Sequence, residues 1–263
     1  MARRLSVNSV RGVLLVMLLA SVSLAGCIRT TQSVFTEEAS PEKALQERVA
    51  LARQYIGDGN WEAAKRNLKL AKEINPNSPE VHEAFALIYW RTGEYEMAEE
   101  SFKDAIRMKK NFSRCRNNYA AFLYSQERYE EAEKQLVYVV QDTLFDARPL
   151  AFANLGLCRL RLFDTQGAEE AFVRALSMDR TNTIALFELA RIRYEAQDYV
   201  TAIQFYDTFR NVSRRQTAPG LLLGIQLAQQ TGDRDAEASY ALALGNLFPA
   251  SPEYQAYRRT VGQ

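Results

Sequence analysis

Covalent chemistry needs nucleophiles, general bases or metal ligands brought together, and this sequence offers few of them. It contains one histidine and three cysteines among 263 residues. His82 stands inside the largely apolar phrase "VHEAFALIYW", where a packed imidazole is a plainer reading than a base or a metal ligand. Cys27, Cys115 and Cys158 are far apart and have no histidine at metal-site spacing; no glycine-rich loop follows a strand pattern, and no nucleophile elbow occurs. The acidic pairs Glu99-Glu100 and Glu130-Glu131 read as solvated helix faces. The expectation is a protein without catalytic residues, metal or small-molecule substrate. A formal net charge of +1 also gives no basic surface for nucleic acid.

Cys27 differs from the other two cysteines in its setting. An apolar run, "LLVMLLASVSLAG", precedes it; Arg3, Arg4 and Arg11 come before that run, and the first acidic residue is Glu37. This is the pattern of a secretory signal peptide over residues 1–26, too short to span a bilayer stably. The run closes on Leu24-Ala25-Gly26-Cys27, which resembles a bacterial lipobox. That resemblance implies diacylglycerol on the Cys27 sulfur, cleavage before Cys27 and acylation of the new amino group by fatty acids such as palmitate. Each buried CH₂ adds about 0.8 kcal/mol, so several chains anchor the protein firmly where one would not. By resemblance to enterobacterial sorting, Ile28 rather than aspartate points to the outer membrane, on its periplasmic face. Apart from this covalent lipid no cofactor is expected. Removal of Arg3, Arg4 and Arg11 takes the formal charge from +1 to −2. Residues 27–42 are polar and without period and read as a flexible tether, with a root-mean-square span of roughly 20 Å. Cys115 and Cys158 fall within helical apolar patterns and are expected to be free and buried, although the compartment permits disulfides.

The rest of the chain, 43–263, repeats itself. "GNWEAAKRNLKLAKEINP" at 59–76 is answered by "GEYEMAEESFKDAIRMKK" at 93–110 and by "ERYEEAEKQLVYVVQDT" at 127–143. The 34-residue offset and the order of small and large residues resemble the tetratricopeptide repeat. Units are assigned at 45–78, 79–112, 113–146, 149–182, 183–216 and 217–250, with a two-residue insertion near Thr143–Arg148, a one-residue slip before "GDRDA" and a capping helix at 251–263. The eighth position of each unit carries a small residue: Ala52, Ala86, Ala120, Gly156, Ala190 and Gly224. There the first helix of a hairpin (A) meets the second (B) at closest approach, and each hairpin buries its apolar face only by stacking on its neighbours. Strand signals are absent. The predicted fold is all-α, a solenoid of about six helix-turn-helix units.

Such an array offers a concave wall, read as A-helix positions 2, 5, 9, 12 and 13. In units one to three these are Gln46, Val49, Arg53, Ile56 and Gly57; Glu80, Glu83, Leu87, Trp90 and Arg91; and Arg114, Asn117, Ala121, Tyr124 and Ser125. Val49, Ile56, Leu87, Trp90 and Tyr124 are unusually apolar for a solvated wall, and Arg53, Arg91 and Asn117 can hydrogen-bond a peptide backbone or carboxylate. Exposed aromatic and aliphatic residues beside arginine make an interface core. The alternative is burial of individual members by a neighbouring helix or by the tether.

Particular phrases go beyond the repeat consensus: "RNNYAAFLYSQERYEEA" (116–132), "QDTLF" (141–145), "LLLGIQLA" (221–228), "GDRDAEASY" (232–240) and "LFPASPEY" (247–254). With the lipobox and the six units, they resemble the type IV pilus biogenesis and stability lipoprotein of Gram-negative bacteria, the pilotin of the pilus secretin. The resemblance implies a lipoprotein that binds secretin subunits and promotes their outer-membrane localisation and multimerisation. Two departures bear on loop geometry: Ala120 and Ala121 stand where glycines are expected, and "FDTQ" lacks the usual glycine turn. A general periplasmic scaffold for peptidoglycan-associated complexes would use the same fold. An accessory subunit of a membrane enzyme is a further alternative, which no feature of the sequence favours.

Overall fold

The computed structural model of the protein describes residues 40–261. Cys27, Ile28 and nearly all of the tether lie outside those residues. Among the described residues there are thirteen α-helices and no strand. They pair as hairpins: α1 (Pro41–Gly57) with α2 (Trp61–Ile74), α3 (Pro79–Thr92) with α4 (Tyr95–Met108), and α5 (Ser113–Ser125) with α6 (Tyr129–Val139). Then come α7 (Arg148–Arg161) with α8 (Thr165–Met178), α9 (Thr183–Glu195) with α10 (Tyr199–Val212), and α11 (Ala218–Thr231) with α12 (Arg234–Leu247), closed by α13 (Pro252–Val261). Helix α1 begins at Pro41, so Pro41 and Glu42 form a helical first turn rather than the end of a tether; proline tolerates that position because the first helical N–H has no intrahelical partner.

Helix starts follow short-range chemistry. Asn60, Ser78, Asp164, Asn182, Asp198, Thr217 and Asp233 each accept a hydrogen bond from the backbone N–H three residues on, satisfying one orphan donor of the first turn. Between A and B each hairpin turns through one left-handed residue. Glycine fills that place at Gly59, Gly93 and Gly232 (φ 71°, 92° and 73°), but Glu127, Phe163 and Gln197 fill it in hairpins 3, 4 and 5 (φ 59°, 63° and 61°). These six residues are spaced by 34, 34, 36, 34 and 35; the insertion falls between units three and four, and the slip falls within unit six, between Gly224 and Gly232. The missing glycine of "FDTQ" therefore leaves the turn intact. A left-handed side-chain-bearing residue costs roughly 1 kcal/mol, and the stacking of the two helices on either side imposes it.

The core runs along the A/B contact. Ala52, Ala86, Ala120 and Ala190 at position 8 are 0–1% exposed, and they face large B-helix residues such as Leu68, Phe102 and Leu136. Gly156 has no room for more: a Cβ there would lie 2.5 Å from the Phe172 ring. A Cβ on Gly224 would lie 2.2 Å from the Tyr206 hydroxyl of the preceding hairpin. Cys115 and Cys158 are buried and free; desolvation pushes the Cys115 thiol well up and the Cys158 thiol up to about 12, so both are inert apolar filling. The residue before the small one packs on the preceding hairpin, as Tyr119, Leu155 and Leu189 do, and its counterpart in the first hairpin, Leu51, is 39% exposed. Successive hairpins are clamped on the B side by Glu99 with Arg128 (2.7 Å), Glu133 with Arg159 (2.9 Å) and Glu169 with Arg193. Helix α13 packs on α11 and α12, with Tyr254 and Tyr257 against the cluster of Leu221, Ile225 and Leu244.

Candidate functional site

Which side of the body is concave follows from which helices touch. From α3 onward the backbone of each A helix comes close to that of the next, α3 to α5, α5 to α7, α7 to α9 and α9 to α11, whereas among the described residues no two successive B-helix backbones do, α10 and α12 meeting through the side chains of Tyr206, Arg210 and Tyr240. The A row is the tighter and so the inner row. Its residues divide by position. Position 5 faces the adjacent A helix and is buried: Val49 at 3% exposure, Glu83 at 0% and Asn117 at 7%, with Ala153 and Leu221 in the same place further on. Val49 packs with Ala71, Val81 and Phe85. Val49, Glu83 and Asn117 are thus corrected from groove wall to interhelix filling, because neighbouring A helices approach too closely at this position to leave it open.

Positions 9 and 12 form the wall. Ile56, Trp90, Tyr124, Leu160 and Tyr194, all at position 12, are half-buried and run as one apolar row through five hairpins. Trp90 stands edge-on to Phe122 at 5.9 Å and carries the Arg91 guanidinium 5.0 Å over its ring. Tyr124 stands edge-on to Tyr129 at 5.1 Å, and burial raises its phenol pKa. Leu87, Trp90 and Tyr124 rest on the largest core cluster, and Ile56 on the cluster of Ala52, Leu68 and Ile88. These side chains are thus held by packing on one face while the other meets solvent. Gln46, Gly57, Arg91, Arg114 and Ser125 are exposed around them, and Glu80 pairs with Lys109 at 3.1 Å.

The sequence reading missed what lies behind this wall. Glu83 accepts from Arg53 Nη2 at 2.6 Å on one oxygen, and from Asn118 Nδ2 at 2.8 Å and Arg114 Nε at 3.3 Å on the other. One buried carboxylate thus joins α1, α3 and α5. A step further on, Asn154 Nδ2 donates to Asn117 Oδ1 at 3.2 Å and ties α7 to α5. The signal was present as opposite charges at positions 9, 5 and 2 of consecutive units. Arg53 is held by Glu83 and is therefore a support of the wall, whereas Arg91 is free to meet a ligand. His82 reaches the Pro76 carbonyl at 3.1 Å through Nε2 and faces Asp104 with Nδ1 at 3.9 Å, a contact that joins the two helices of hairpin 2 to the loop leading into it. Among the described residues no cluster of three or more His, Cys, Asp or Glu could hold a metal, and no helix is long and apolar enough to cross a membrane. An apolar, arginine-edged groove with fixed side chains is suited to binding an extended or helical protein segment.

Comparison with known proteins agrees with this shape. A family model described as the intraflagellar transport protein 70 C-terminal domain matches residues 41–194. The type IV pilus assembly protein PilF of Pseudomonas aeruginosa is 38% identical over 245 residues, covering 93% of this chain and 96% of that protein. The solved structure of Pseudomonas aeruginosa PilF superposes with a TM-score of 0.80 over 84% of this chain and 99% of the other. PilW, a widely conserved type IV pilus biogenesis factor, superposes with a TM-score of 0.71 at 24% identity, over 82% of this chain and 98% of its own, which speaks for the fold alone.

Proposed function

Matched along nearly all of its length by a type IV pilus assembly protein, the chain belongs to the tetratricopeptide-repeat family of type IV pilus biogenesis proteins, and on that premise we propose that it is the pilotin of the pilus secretin. Its role in pilus biogenesis is exercised through protein–protein contacts. In the proposal, the lipid on Cys27 holds the protein to the periplasmic face of the outer membrane, and the tether sets the solenoid just off the bilayer. The concave row binds secretin subunits. Holding several subunits at one surface raises their effective concentration and favours multimerisation without any bond being made or broken.

The observation that carries this reading is the position-12 row: Trp90 and Tyr124 are fixed from behind and open in front, with Arg91 beside them. Preordered aromatic side chains lose little entropy on binding, and this is how interface centres gain affinity. The test is to purify the chain from detergent-solubilised envelope and identify what accompanies it. Secretin subunits should copurify, and Cys27→Ala should leave the protein as unacylated precursor or soluble form with the secretin mislocalised. Normal outer-membrane fractionation of that variant would refute the anchor, and copurification of a cell-wall hydrolase without secretin would refute the partner.

A further inference from the structure

The connection from α10 to α11 is richer in arginine and looser than most of the others. Three of the other four loops between hairpins are tied by a side chain of their own, Asn75 Oδ1 accepting from the Asn77 N–H at 3.0 Å, Asp142 Oδ1 from the Leu144 N–H at 3.1 Å and Asp179 Oδ1 from the Thr181 N–H at 2.9 Å. Between hairpins 5 and 6 the chain reads Ser213-Arg214-Arg215-Gln216-Thr217 and, with the ends of both helices, encloses a cavity of 220 Å³. One wall is aromatic: Tyr206 stands 6.0 Å from Tyr240 and 6.2 Å from Phe209, ring centre to ring centre. Arg210, Arg214 and Arg215 bring three cations to the rest of the lining, which is otherwise neutral.

The charges around this cavity do not balance. Asp207 approaches Arg210 Nη2 at 3.4 Å, while Arg210 Nη1 donates to the Tyr240 hydroxyl at 3.3 Å. Among the described residues Arg214 and Arg215 enter no ion pair, and both are exposed at the rim. Ser213 Oγ is fully buried in the same lining and has no hydrogen-bond partner among the described residues. A buried hydroxyl left unpaired is a standing cost that an incoming oxygen would relieve.

We propose that this cavity binds a phosphate-class oxyanion, with Arg214 and Arg215 taking its outer oxygens and the Ser213 hydroxyl, sealed behind the lining, turning about its Cα–Cβ bond to donate to an inner one. Guanidinium forks match phosphate geometry, and three guanidiniums against one carboxylate leave a local charge that suits a dianion better than a single planar carboxylate. The same chemistry could come from a free phosphate or from an anionic phospholipid headgroup. The site lies on the inter-hairpin connection and so is separate from the position-12 row.

The experiment titrates the full chain in detergent with inorganic phosphate by calorimetry, at ionic strength matched with sodium chloride. In parallel it measures association with phosphatidylglycerol vesicles relative to phosphatidylcholine vesicles. Saturable phosphate binding identifies a free anion; a phosphatidylglycerol preference without phosphate binding identifies a headgroup. In either case the Arg214→Ala/Arg215→Ala double variant should bind at least tenfold more weakly and the lysine double variant in between, both with unchanged unfolding midpoints, while Ser213→Ala should bind several-fold more weakly with its midpoint raised by loss of the unpaired hydroxyl. Absence of both kinds of binding, equal binding of acetate and phosphate, or an undiminished double variant overturns the proposal.

Discussion

Hairpins 1–3 and hairpin 5 present the same positions to the concave side and settle their charges in opposite ways. In the first three, Glu83 is withdrawn from solvent and takes its partners from the two neighbouring A helices, α1 and α5. In hairpin 5, Arg191 finds both partners within α9, Glu188 at 2.9 Å and Glu195 at 2.5 Å. A pair within one helix supports that helix and says nothing about its neighbours. A carboxylate shared by three helices fixes their spacing and angle. The wall of hairpins 1–3 is therefore set before a ligand arrives, and ordering cost there is already met, whereas the wall around Tyr194 rests on apolar packing and on the Glu169–Arg193 pair at its edge, with no buried carboxylate shared among A helices.

The largest test of that difference is Glu83→Gln. Removing one charge of a buried network leaves the others uncompensated, at about 3 kcal/mol. Urea denaturation should show that loss, and hydrogen exchange should show protection falling in α1, α3 and α5 while α9–α12 keep theirs, since coupling is between nearest neighbours. Glu188→Gln should cost about 0.5 kcal/mol or less. Equal costs at the two sites would erase the contrast.

Binding gives the next effect. Trp90→Ala and Tyr124→Ala should each weaken binding to purified secretin by tenfold or more, about 2 kcal/mol, with helicity retained. Phe187→Ala and Tyr194→Ala should stay within a few-fold. Surface plasmon resonance decides it, and loss confined to the hairpin 5 variants would reverse the assignment.

Acid probes the seam between hairpins 2 and 3. Hydrogen bonds from Arg128, aided by those of Lys103 and Tyr119, hold the Glu99 carboxyl down at about 2, from 4.5. A depressed folded-state value contributes stability that is present above pH 4.5 and lost as pH falls through about 2. The unfolding midpoint should decline over that window, and Glu99→Gln should flatten the decline. The smallest effect is at the turns. Phe163→Gly should gain up to about 1 kcal/mol and Gly93→Ala lose about as much, both read from thermal midpoints.

What could be read in the sequence was what repeats. The period, the small residue at position 8 and the insertion after unit three are local patterns that every hairpin reports independently. The left-handed turns at Glu127, Phe163 and Gln197 were not legible, because nothing in those residues asks for that conformation; the helices on either side impose it. Of the groove, Ile56, Leu87, Trp90, Arg91 and Tyr124 stand at the wall as their spacing suggested. Val49 and Asn117 were misplaced because helical spacing gives a direction from one helix axis and not the distance to the next. Glu83 was seen as a position and not as a junction, since its partners lie 30, 31 and 35 residues away on other helices.

The clearance at Gly224 bears on how such an array can be rearranged. Repeats of one length invite recombination, in which one hairpin is copied, lost or moved. Tyr206 occupies the space that a Cβ at position 224 would need, so a hairpin with alanine at position 8 fits behind hairpin 5 only if the phenol end of Tyr206 moves aside. Hairpins 1, 2, 3 and 5 carry alanine there and hairpin 4 carries Gly156, which Phe172 of its own hairpin already fills. Hairpins 4 and 6 are thereby the two that leave Tyr206 in place, and a constraint on the order of the array is written into the shape of a single contact.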